Sequence, residues 1–103
     1  MNKILEKKIT QSINNQLTFD GEAAFEILLY DLDLLSRQDL QRWQKGEIPY
    51  LAKKCRCSER HLAELLKYFR NYCNQSGLIP GPFAELAYTK SGDQKYGQRY
   101  LRR

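Results

Sequence analysis

The sequence predicts a mainly α-helical fold: a single compact helical domain of about five helices, with a helix-turn-helix and a β-hairpin or basic tail at its C-terminal end. Three observations predict it. Apolar residues recur at three- and four-residue steps, as in Ala24, Phe25, Leu28, Leu29, Leu32 and Leu35. Capping residues and glycines sit where such stripes begin and end, Ser36 and Ser58 before them, Gly46 and Gly77 after. A chain of 103 residues with 42% hydrophobic residues, including seven tyrosines and four phenylalanines, supports one modest core and argues against disorder.

The first helix is expected over Lys3 to Asn14, from the stripe Ile4, Leu5, Ile9 and Ile13, with Asn14, Asn15 and Gln16 weakening it beyond. The second is expected to start at Asp20, whose carboxylate can accept orphan backbone N–H bonds, with Glu22 at the positive end of the dipole. A third runs from Arg37 to Lys45, with Leu40 and Trp43 on one side. Pro49 suits a first-turn position and opens a short fourth helix to Lys54. Ser58 caps a fifth, reaching about Gln75, with an inner stripe of Leu62, Leu65, Leu66, Phe69 and Cys73. The GLIPGP segment is a loop, and the turn at Ser91-Gly92-Asp93 between Tyr88 and Tyr96 suggests a hairpin or a frayed basic tail. Residues 1–87 thus form the helical domain, with the helix-turn-helix at 49–75, and residues 88–103 form the hairpin or tail.

Charge is unevenly placed. The formal net charge is +5. Residues 17–40 carry Asp20, Glu22, Glu26, Asp31, Asp33 and Asp39 against Arg37 alone. Residues 53–70 carry Lys53, Lys54, Arg56, Arg60, Lys67 and Arg70 against Glu59 and Glu64, and residues 90–103 are basic again. A basic face attracts phosphates through counterion release, although an ordinary solvated surface has the same composition. No apolar run spans a bilayer and the first residues lack a signal-type apolar core, so the expectation is a cytoplasmic protein without membrane contact. Three cysteines make no disulfide framework and are expected to be reduced.

The stretch LAKKCRCSERHLAELLKYF, residues 51–69, carries the functional reading. Ala52 is small where a second helix would cross, Cys55 and Cys57 face inward at the corner, and Leu62 and Leu65 line the inner face. Arg56 stands where the tight turn usually holds glycine, which implies a strained turn or another turn geometry. At about 100° per residue, Arg60, Glu64 and Lys67 lie opposite the leucine stripe. In a groove-reading helix, Ser58, Glu59, Arg60, Ala63, Glu64 and Lys67 would face DNA. Arg60 would pair with guanine and Glu59 or Glu64 would accept from cytosine. Lys53, Lys54, Arg56 and Lys67 would meet phosphates, and Lys95 and Arg99 on the C-terminal wing would reach flanking DNA. The alternative is an amphipathic helix with a mixed-charge solvent face.

On Leu51, Ala52, the segment Ser58-Glu59-Arg60-His61-Leu62 and Phe69, this stretch resembles the first helix-turn-helix of the AraC/XylS-type transcription regulators. The resemblance covers about a fifth of the chain and implies sequence-specific, regulatory binding to duplex DNA. The segment RWQKGEIPYL, with the later Phe69-Arg70 and Gly77-Leu78, is similar to a group of small bacterial proteins and implies one compact helical domain.

A second chemistry uses the same residues. Cys55, Cys57, His61 and Cys73 offer a Cys₃His set for zinc, but the spacing is not that of a standard finger, and free cysteines serve equally as small core residues. Nothing supplies an oxyanion hole or an orienting acid for His61, so no enzyme and no cofactor is expected. The expected function is a DNA-binding transcriptional regulator, with a homodimer contact on the acidic, apolar second helix. The rival is a protein-interaction module or adaptor using its acidic and basic faces.

Overall fold

Asn2 begins the fold by accepting the Leu5 N–H at 2.8 Å through its side chain, and helix α1 then runs Lys3–Asp20. It extends six residues past its expected end. Its inner stripe is Ile9, Ser12, Ile13, Gln16 and Leu17, a perfect helical spacing in which two members are polar. Those polar members are satisfied inside. The Gln16 amide donates to the Ala24 carbonyl at 3.3 Å and accepts the Ala24 N–H at 2.8 Å, standing in for a neighbouring strand. Gly21, left-handed at φ 75°, ends the helix. Asp20 is therefore the last residue of α1 rather than the cap of the next helix.

The computed structural model describes residues 1–48, 50–81 and 96–102. Within them strand β1 (Glu22–Ala24) follows, then α2 (Phe25–Asp31) and α3 (Arg37–Gln44). A 3-10 turn occupies Leu51–Lys54 and α4 spans Glu59–Gln75, followed by β2 (Ile79–Pro80) and β3 (Arg99–Leu101). The described residues hold four α-helices where about five were expected. The expected second helix loses its start to β1 and its end to Asp33, whose left-handed φ of 60° follows the Leu32 cap. The expected fourth helix is the 3-10 turn, closed by a Cys55 N–H to Ala52 carbonyl bond.

Ser36 and Ser58 cap α3 and α4 as expected, accepting the N–H of Asp39 and of His61 at 3.1 Å each. Helix α4 buries Leu62, Leu65, Leu66, Phe69 and Cys73, the stripe read from the sequence.

The sheet order is β1-β3-β2, antiparallel throughout, so the strand nearest the C-terminal end of the chain is the central one. Ala23 pairs with Tyr100 and Ile79 with Leu101. Tyr96 and Tyr100 are buried. Their rings extend an aromatic chain: Phe69 lies 5.7 Å from Tyr100 and 5.5 Å from Phe25, which lies 6.1 Å from Tyr96. Residues 96–102 thus share the core of residues 1–81 and do not form a separate tail. Burying two tyrosines against Phe25 and Phe69 outweighs the pull of the flanking basic residues toward water. The expected turn at Ser91-Gly92-Asp93, Tyr88, Lys95 and Pro49 lie outside the described residues.

Candidate nucleic-acid interface

Because α4 turns its leucines inward, the opposite side is fixed in solvent. Glu59, Arg60, Ala63, Glu64 and Lys67 are all exposed, and so are Lys53, Lys54, Arg56 and Ser58 ahead of the helix. Arg60 and Lys67 are two helical turns apart, about 10 Å along the axis. That spacing is comparable to the width of a DNA major groove, about 12 Å. The residues expected to read bases thus share one exposed face, with two lysines at its entrance. Ser58 is positioned by its own task, since its hydroxyl caps the helix.

The cations differ in their electrostatic partners. Among the described residues no ion pair engages Lys53, Lys54, Arg60 or Lys67. The Lys53 ammonium lies 4.9 Å from the centre of the Tyr50 ring, which is itself exposed. Arg56 is tied down: its Nη1 donates to the Asp33 carboxylate at 2.9 Å and to the Asp33 carbonyl at 3.2 Å. Its backbone N–H donates to the Leu34 carbonyl at 2.8 Å. Asp33 is the non-glycine residue with positive φ among the described residues, so the turn before α4 avoids the strain expected at Arg56 by using another geometry. That turn follows a single 3-10 turn, not a full helix, so the regular first arm of a helix-turn-helix is not formed at Leu51–Lys54.

Arg99 was expected on a DNA-facing wing and stands elsewhere. On β3 its Nη1 donates to Glu22 at 2.7 Å and its Nη2 to Glu26 at 2.5 Å. Glu26, only 2% exposed, also accepts the Trp43 indole N–H at 2.8 Å. Burial raises the Glu26 carboxyl above its ordinary 4.5; the Arg99 charge and the Trp43 hydrogen bond oppose that rise, while the Glu22 charge adds to it. This guanidinium neutralises carboxylates from β1 and α2 within the fold and is not presented to a ligand.

The Cys₃His alternative does not assemble. Cys73 is wholly buried in the core, twelve residues along α4 from His61, about 18 Å at helical rise. Zinc requires its ligands within about 2.3 Å of one point. Cys55 and Cys57 are half-buried and packed against the core, and burial pushes the Cys73 thiol up to about 12. No group of three or more His, Cys, Asp or Glu side chains among the described residues converges as a metal site. The dimer face expected on the second helix is also changed, since α2 buries Phe25, Leu28 and Leu29 and turns Tyr30 and Asp31 outward.

Two residues beside the candidate surface were not singled out from the sequence. Tyr50 has a signal in hindsight, an aromatic three residues before Lys53 and four before Lys54. Asp33 has none, because its contact with Arg56 spans 23 positions. No protein-family model matches this chain, and neither a curated protein nor a solved structure does. No helix among the described residues is long and apolar enough to cross a membrane.

Proposed function

We propose that this protein binds duplex DNA, in a regulatory role, by laying the N-terminal half of α4 into the major groove. One observation carries the reading: Arg60, Ala63, Glu64 and Lys67 share a solvent-facing side of a firmly seated helix, and its two cations lack internal partners among the described residues. Arg60 reads base edges and Lys67, Lys53 and Lys54 contact phosphates. The helix is presented without the regular first arm of a helix-turn-helix. Its orientation comes from Ser58, the leucine stripe and the aromatic chain beneath Phe69.

Selection of bound sequences from a random duplex pool tests this. Arg60→Ala should flatten preference at one or two base positions, costing about 1–3 kcal/mol there. Lys53→Ala should weaken all sequences alike and lower the salt slope by about 1. Unchanged preference in Arg60→Ala rejects the base-reading role.

A protein-contact reading is favoured by a different observation. Phe19 and Ile4 on α1 are 82% and 72% exposed, large apolar side chains left in water. Absence of duplex binding at low salt, with capture of a protein partner dependent on Phe19, would place the function there.

A further inference from the structure

Of the four cations expected at phosphates, Arg56 alone has an ion-pair partner among the described residues. The pair is open to water, with side-chain exposures of 57% for Arg56 and 92% for Asp33, so it is weak and readily exchanged. Both backbones are held without it. The Arg56 N–H is bonded to the Leu34 carbonyl, and Asp33 is fixed by its own N–H to the Tyr30 carbonyl at 3.0 Å and by the Leu34 N–H to the Leu29 carbonyl at 2.9 Å. Opening the side-chain contact therefore leaves the turn in place. Arg56 also precedes the Ser58 cap by two residues, at the positive end of the 17-residue α4, where a phosphate is electrostatically favoured. A guanidinium accepts a carboxylate or a phosphate in the same fork geometry.

We propose that Asp33 holds Arg56 as an internal substitute for a phosphate group, and that nucleic acid displaces the Asp33 carboxylate before Arg56 joins the interface. The contact is an autoinhibitory clasp on the α4 surface, and the inference rests on the DNA-binding reading of that surface. It makes Asp33 a brake on affinity and makes the contribution of Arg56 conditional on Asp33.

The test is a double-mutant cycle. Affinity for one mixed-sequence duplex of about 20 base pairs is measured by fluorescence anisotropy near 50 mM salt for wild type, Asp33→Asn, Arg56→Ala and the double variant. Asparagine tolerates the left-handed backbone at position 33. Asp33→Gly tolerates it too and removes the side-chain acceptor altogether, with circular dichroism checking the fold of each variant. Asp33→Asn and Asp33→Gly should bind about two- to fivefold tighter than wild type, and the gain should vanish when Arg56 is alanine. A gain that survives Arg56→Ala is a general charge effect and overturns the clasp, as does no gain at all. If the wild type binds with steep salt dependence while either of these holds, only the clasp is lost. If no variant binds the duplex, the clasp and the α4 reading fall together.

Discussion

The cations around α4 and the arginine on β3 meet opposite fates. Before and along α4, Lys53, Lys54, Arg60 and Lys67 stand in solvent without an ion pair among the described residues. Near the C-terminal end of the chain, Arg99 is drawn into the fold by Glu22 and by the buried Glu26. The difference comes from what lies on the neighbouring side chains' inner faces. The leucines of α4 turn the cations outward. The pairing of Ala24 with Arg99 across β1 and β3 places a guanidinium beside carboxylates from β1 and α2. Arginine content therefore identifies a ligand-facing surface only after the internal carboxylates have been assigned.

Arg99→Ala leaves Glu26 buried without its cation and should destabilise the protein by about 3 kcal/mol in urea unfolding. Lys67→Ala, by contrast, should stay within about 0.5 kcal/mol of wild type. Equal stability losses for the two variants would erase the distinction between the regions.

A smaller effect sharpens the same contrast through pH. Glu26 has a folded-state carboxyl raised by burial, so the fold favours its protonated form. Its contribution to stability is complete below the ordinary value of 4.5 and is lost as pH rises through the raised folded value. Glu26→Gln keeps an acceptor for Trp43 and Arg99 but does not titrate. Its stability should therefore gain on wild type as pH climbs from about 4 to about 7, by about 1.4 kcal/mol for each unit of elevation. A constant difference across that range would show that Arg99 fully cancels the effect of burial.

Helices α3 and α4 were legible because their signals are local: a serine cap, apolar residues at helical spacing and a glycine beyond. The sheet was not. Strand β1 is three residues long, two of them alanine, with no alternation to read, and its partner lies more than seventy residues away. The inner face of α1 was obscured because Ser12 and Gln16 occupy buried positions that look polar until the Gln16 amide is seen pairing with Ala24. For the candidate surface, helical geometry alone placed Arg60 and Lys67 outward. It gave no access to Arg56 or Arg99, because their carboxylates are 23, 73 and 77 positions distant.

The salt dependence of duplex binding reports whether the exposed cations meet phosphates, because each phosphate contact contributes a countable share. With Lys53, Lys54 and Lys67 on phosphates, log K for a mixed-sequence duplex should fall against log salt with a slope of about −3, or about −4 when Arg56 leaves Asp33 for a fourth phosphate, and Lys67→Ala should reduce its size by about 0.9. A slope near zero, or no binding at about 50 mM salt, would contradict the assignment of the exposed α4 cations to nucleic acid.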